Sequence, residues 1–198
     1  MSKQQAQTQA IELAKQKLAG VDLAPRCAAL GLPLPQEGVV RCRAFGIDFS
    51  LDSSFNLTES VSGKPAKLGD HIFVLHYLLC DVPVEPTGQQ ITFRDLPGGQ
   101  FYWQPFLSRS INPLLGRIGN DVAKLRDRVS RFDWTPAQGG DFAATIHAIG
   151  KIDITLVYHL GDEELGPAAN VLFDTCIKRV FVTEDAAWLA SRICIGLL

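Results

Sequence analysis

A chain of 198 residues with 19 Lys and Arg against 21 Asp and Glu carries a formal charge of -2. That balance lacks the basic excess on which general nucleic-acid and membrane-surface binding depend. With 46% hydrophobic and 20% charged residues, the composition is that of a packed protein and not of a disordered one. The length suits one α+β domain over residues 1–198, able to bury roughly 70% of its unfolded surface without disulfide or metal. Cys27, Cys42, Cys80, Cys176 and Cys194 are scattered, odd in number and free of any Cys-x-x-Cys spacing. They read as reduced, buried thiols of a cytoplasmic protein. The polar start, Ser2-Lys3-Gln4-Gln5, does not read as a secretory signal. The longest apolar run, residues 72–80, is interrupted by His76 and falls short of the roughly 20 residues that cross a bilayer.

Residues 2–18 are rich in Gln, Ala, Lys and Leu and predict a helix whose apolar face is Ala10, Leu13, Ala14, Lys17 and Leu18. Asp22, Pro25 and Gly31 mark the cap, first turn and end of a second helix. These helices, about residues 2–31, are expected at the periphery. Residues 39–58 alternate as Ile47, Phe49, Leu51 against Asp48, Ser50, Asp52 and predict an antiparallel meander. Asp70 is placed as the cap of a helix over 71–80 that is apolar on nearly every side, hence central and buried. His71 and His76 are five apart, so they do not form an i, i+4 metal pair. His76 reads as a core histidine.

The densest run of special residues is 91–106, and it anchors the reading. Ile91 and Phe93 alternate with Thr92 and Arg94 as in a half-buried strand. Asp95-Leu96-Pro97-Gly98-Gly99 then turns the chain. Successive N–H groups in such a turn form an anion-binding concavity in some proteins, with Arg94 as the cationic partner. The plainer alternative is a tight turn with Arg94 and Asp95 as a solvated pair. Neither dinucleotide nor P-loop spacing is present. Phe101, Tyr102, Trp103 and Phe106 are expected to form a core wedge.

Beyond the anchor, Ser110 is placed as the cap of a helix over 111–118, with Gly119-Asn120 breaking it. A second amphipathic helix follows on Val122, Leu125 and Val129, bearing Lys124, Arg126, Arg128 and Arg131. It is either a solvated face or a partner-binding surface. Residues 142–149 and 152–160 predict a hairpin around Gly150-Lys151. A two-residue turn puts His147 with Ile152, Ile154 and Leu156 on the core face, and His159 with Asp153 and Thr155 on the other. Gly161-Asp162-Glu163-Glu164-Leu165-Gly166 leaves that strand and is expected to precede a helix from Pro167. The three carboxylates suit a hard cation or acid–base work. They equally suit the positive end of a helix. Consecutive side chains point apart, so no metal is assigned. Asp174 is a further candidate carboxylate. Thr183 is placed as the cap of a last helix with Trp188, Leu189, Ile193 and Leu197 as its buried stripe.

Four landmarks occur in order: His76-Tyr77-Leu78-Leu79; Phe93-Arg94-Asp95-Leu96-Pro97-Gly98-Gly99 with Tyr102; Gly161-Asp162-Glu163-Glu164; and Leu172-Phe173-Asp174 followed by Thr183-Glu184-Asp185. Over nearly the whole chain this set resembles a prokaryotic family known as a domain of unknown function, number three-seven-eight-six. The resemblance implies occurrence mainly in anaerobic bacteria and archaea, sometimes beside iron–sulfur or corrinoid-linked modules. It brings no catalytic residues to this chain.

Three functions follow. The first is a cytoplasmic accessory domain that binds a ligand or cofactor of unknown identity, using Arg94, Gly98, Gly99, Tyr102, His159, Asp162, Glu163 and Glu164. The second is a metal-dependent hydrolase or transferase using Asp162, Glu164 or Asp174, with His159 as base. The third is a protein-interaction module using the face from Lys124 to Arg131. Neither nucleic acid nor membrane is expected as a partner, and no cofactor or oligomeric state is assigned.

Overall fold

The computed structural model describes residues 2–198. The chain is α+β. In order its elements are α1 (Lys3–Leu18), α2 (Leu23–Leu30), β1 (Val40–Ala44), β2 (Ile47–Leu51), β3 (Leu57–Glu59), α3 (Leu68–Leu79) and β4 (Gln90–Thr92). After β4 come α4 (Trp103–Arg109), α5 (Ile111–Ile118), α6 (Val122–Val129), β5 (Trp134–Pro136), β6 (Phe142–Ile149), β7 (Ile152–His159), β8 (Ala168–Asp174), α7 (Ile177–Val180) and α8 (Thr183–Gly196). The ladders with defined register are antiparallel. The chain divides into two compact units. Unit 1 holds the chain up to Glu85 together with Ile149–Lys151 and Arg179–Phe181, and unit 2 holds the remainder.

Unit 1 contains the expected meander, β3-β2-β1, with Val40 facing Leu51 and Ala44 facing Ile47. The two-residue turn between β1 and β2 is Phe45-Gly46, both at positive φ (55° and 75°). Such a turn matches strand twist but strains a residue with a Cβ. Phe45 accepts that strain and buries its ring 5.2 Å from Phe73 of α3. α1 and α2 both pack on α3, whose Phe73, Val74, Leu75, Tyr77 and Leu78 are buried. The buried stripe of α1 is Ile11, Ala14 and Leu18; of the expected face Ala14 and Leu18 are buried, Ala10 is half-buried, and Leu13 and Lys17 are exposed. Its apolar period runs i, i+3, i+7 from Ile11.

α3 starts earlier than expected, with Lys67 at the N-cap and no side-chain cap bond. Asp70 therefore sits inside the first turn, where a negative charge complements the positive helix end. Nε2 of His71 is 2.8 Å from the Phe55 carbonyl. Burial lowers the pKa of His71, and the bond to Phe55 opposes that. His76 is half-buried. At the other end the Arg26 guanidinium donates to the carbonyls of Leu78, Leu79 and Cys80, which otherwise lack partners. The Tyr77 hydroxyl donates to the Leu30 carbonyl at 2.6 Å and accepts from the Lys151 N–H at 3.1 Å.

In unit 2 the strands run in the order β5-β6-β7-β8-β4. α4, α5 and α8 pack together, with α5 against β8. Three expectations change here. First, His147 lies not with Ile152 and Ile154 but 3.0 Å from Asp153, and Thr145 is 3.1 Å from Thr155. These contacts belong to a hairpin offset by one residue from the two-residue turn. A slip of one residue exchanges the faces of a strand. Second, Pro167 opens a strand and not a helix. Ala169, Val171 and Phe173 are buried in alternation along β8, a period of two that overrides the helix signal. Third, of the aromatics at 101–106 only Phe106 is buried; Trp103 is half-buried and Phe101 and Tyr102 are exposed. α4 begins at Trp103, so Phe106 points inward one turn later while the two preceding rings stay in the turn.

The last helix is capped from Val182, and the Thr183 hydroxyl donates to the Pro97 carbonyl at 2.6 Å instead of capping. Ala186, Leu189, Ala190, Ile193 and Cys194 are its buried residues, Leu197 is buried at the C-cap, and Trp188 is half-buried. All five cysteines are buried, and burial pushes the Cys42 and Cys194 thiols up to about 12.

Gly150 sits at φ 54°, and a Cβ there would collide with the Tyr77 hydroxyl and the Leu30 carbonyl. Gly150→Ala is expected to cost about 2–4 kcal/mol. Denaturant unfolding followed by tryptophan fluorescence and circular dichroism measures this; an unchanged midpoint would refute it.

Candidate functional site

All eight candidate site residues lie in unit 2, whereas the greasy helix α3 belongs to unit 1.

The anchor turn is closed by local bonds. A 3-10 turn, Phe93–Asp95, follows β4 directly. The Asp95 carboxylate accepts the Thr92 hydroxyl and N–H, both at 2.8 Å, and these bonds hold its pKa below the usual carboxylate value. The Gly99 N–H donates to the Leu96 carbonyl, and the Phe101 N–H to the Gly98 carbonyl. With the Leu96 N–H donating to the Phe93 carbonyl, three of the turn's donors are spent within it, and the anion cradle expected there is reduced accordingly. Gly98 has φ 72°. Gly99 is needed for space, since a Cβ would collide with the Phe93 carbonyl. The Arg94 guanidinium lies 4.3 Å above the Trp103 ring. Trp103 stacks on Phe106 and Phe106 on Phe93 at 4.1 Å, so the cation caps a column of three rings that reaches the core. Beside it Phe101 is 90% exposed and Tyr102 63% exposed.

The acidic loop is equally tied. Oδ1 of Asp162 accepts the N–H groups of Glu164 and Leu165 at 2.9 and 2.8 Å, and the Asp162 N–H donates to the Leu165 carbonyl. The backbone groups of Leu165 and Glu164 lower the Asp162 pKa. Asn120 grips Gly161 in both directions, at 3.0 and 2.8 Å, and Asp141 accepts the Leu160 N–H at 2.8 Å. The loop presents Glu163, Glu164 and the 71%-exposed Leu165 to solvent. His159 is exposed at the end of β7, opposite Ala168.

Among the described residues no hydrogen bond, ion pair or ring contact joins Arg94, Gly98, Gly99 or Tyr102 to His159, Asp162, Glu163 or Glu164. The strands explain the spacing. β4 and β7 both run antiparallel to β8, so both loops leave the same end of the sheet. β4 stops where Thr92 meets Leu172, and β7 continues until His159 meets Ala168. Four residues along a strand span roughly 13 Å. No group of three or more His, Cys, Asp or Glu side chains suited to a metal is found among the described residues. Two open concavities, one along the first turns of α1 and one bordered by Val21, Asp22, Ser53 and Phe55, belong to unit 1.

Asp174 emerges as a structural carboxylate. It accepts the N–H groups of Thr87, Gly88 (2.7 Å) and Cys176 (2.8 Å) and the Thr87 hydroxyl (2.9 Å). Burial alone would raise its pKa, but these donors outweigh it and hold the carboxyl down to about 2. Short-range sequence patterns carry no sign of the bonds from Thr87 and Gly88, because these residues are 87 and 86 positions away. The exposure of Phe101 and Tyr102 did have a signal. Both follow Gly98-Gly99-Gln100, a turn composition that ends the strand before the rings begin.

These features define an α+β protein with two loops braced by their own hydrogen bonds and no gathered catalytic constellation among the described residues. The profile of a domain of unknown function, DUF3786, matches residues 22–195, and the chain belongs to that family. No curated protein matches the chain, and no solved structure does. Among the described residues no helix is long and apolar enough to cross a membrane.

A carboxyl held below its ordinary value of 3.8 stabilises the fold through its ionised form. That contribution is complete above the ordinary value and disappears as pH falls through about 2. Asp174→Asn should therefore cost about 1–2 kcal/mol at neutral pH. The gap to wild type should close as pH falls from neutrality towards 2 in urea titrations. A gap that stays constant with pH would refute the assignment.

Proposed function

We propose that this chain is a cytoplasmic accessory domain that acts by binding, with the anchor turn as its recognition surface. Arg94, Gly98, Gly99 and Tyr102 belong to that surface, joined by Phe101. One observation carries the reading: Phe101 and Tyr102 stand in solvent on a turn that is itself pinned, by Gly99 against Phe93 and by Thr183 on Pro97. Two adjacent exposed aromatics on a rigid support lose little conformational entropy when covered, and aromatic and arginine side chains supply most hot spots of binding. His159, Asp162, Glu163 and Glu164 belong to a second surface at the same end of the sheet.

The hydrolase reading has less support. Oδ1 of Asp162 is already taken by two backbone donors, and Asp174 by three backbone N–H groups and the Thr87 hydroxyl. The basic helix face also has less support. Nζ of Lys124 donates to the Arg117 carbonyl, so one of its four cations is engaged locally.

The test is the double substitution Phe101→Ser, Tyr102→Ser. Both rings are exposed, so stability should move by no more than about 0.5 kcal/mol. Material that co-purifies with the wild-type protein from its native source should be lost. A double variant that retains the same bound material, or a wild type that binds neither other material nor a second copy of itself, would refute the reading.

A further inference from the structure

The anchor turn and the acidic loop are complementary but do not meet within the chain. Arg94, Glu163 and Glu164 make no ion pair among the described residues. Arg94 is exposed, with the neighbouring Asp95 carboxylate bonded to Thr92. The apolar parts also correspond. Phe101 and Tyr102 stand on one loop, with Val182, 64% exposed, next to the Thr183 that holds Pro97. Leu165 stands on the other loop beside two carboxylates.

We propose that the anchor turn docks onto the acidic loop of a second copy of this chain, in two reciprocal contacts about a two-fold axis. The proposal rests on the reading of the anchor turn as a recognition surface and names its occupant. Arg94 pairs with Glu163 and Glu164 of the other copy, and Leu165 covers Phe101 and Tyr102. Topology supplies the symmetry. Both loops leave the same end of the sheet, because β4 and β7 flank β8 and run the same way. A two-fold axis beyond that end presents each copy's turn to the other's loop, and the contact closes instead of growing into a filament. Few side chains take part, so the dimer is weak, and its charged pairs make it weaken with salt.

The test is sedimentation equilibrium of the full chain from micromolar to near-millimolar concentration, at low and high salt. Wild type should dimerise, and raising the salt should weaken it. Arg94→Glu alone, and Glu163→Lys with Glu164→Lys, should each weaken association by about tenfold or more, since like charges then face each other. An equimolar mixture of the two variants should recover it, because both contacts then pair opposite charges. A monomer at every concentration, or variants that dimerise like wild type, overturns the proposal, as does a mixture no tighter than its components. If the chain is monomeric yet the Phe101, Tyr102 double variant still loses its co-purifying material, the recognition surface stands and only the second copy as its occupant fails.

Discussion

The carboxylate of Asp174 is the constraint on which the edge of unit 2 depends. It sits at the end of β8, opposite Gln90, and gathers donors from Thr87, Gly88 and Cys176. β4 has only three residues, too few to hold a register by ladder bonds alone. By fixing the approach to β4, one side chain sets where Thr92 meets Leu172. That pairing sets where the 3-10 turn begins and where the column of Phe93, Phe106 and Trp103 stands. Arg94 and the two exposed rings follow from it. A buried or half-buried charge is tolerated only when its lone pairs are occupied, and here they are.

The parts of the fold legible in sequence were those written in neighbouring residues. Asp22 caps α2 and Gly31 ends it in the left-handed region, as their types and spacing imply. The meander of β1, β2 and β3 was legible for the same reason, since alternation and turn residues lie within a few positions of each other. Features decided by distant partners were not legible. The face of His147 depends on a one-residue offset that the pattern of apolar residues does not fix, because β7 buries five residues in succession, Ile154 to Tyr158. A strand buried on both faces carries no alternation to read. The helix expected at Pro167 failed because proline suits the start of a helix and the entry to a strand alike.

The candidate site was legible as two loops and not as one pocket. Arg94 to Tyr102 and Asp162 to Glu164 stand out by composition, and both prove to be ordered turns. What composition conceals is how much of their polarity is used up locally. An Asp followed by two residues whose N–H groups it accepts looks, in sequence, the same as an Asp waiting for a cation. Asp162 is of the first kind. Glu163 and Glu164 accept no such bonds among the described residues.

The sulfur atoms lead somewhere different. Burial of every cysteine, with Cys42 and Cys194 raised to about 12, leaves almost no thiolate at the surface for an electrophile to find. Alkylating reagents can then react only during excursions that open the interior. With Cys27 and Cys42 in unit 1 and Cys194 in unit 2, their modification rates become separate clocks for the breathing of each unit. The protein in effect carries native reporters of its own local unfolding, with no probe added.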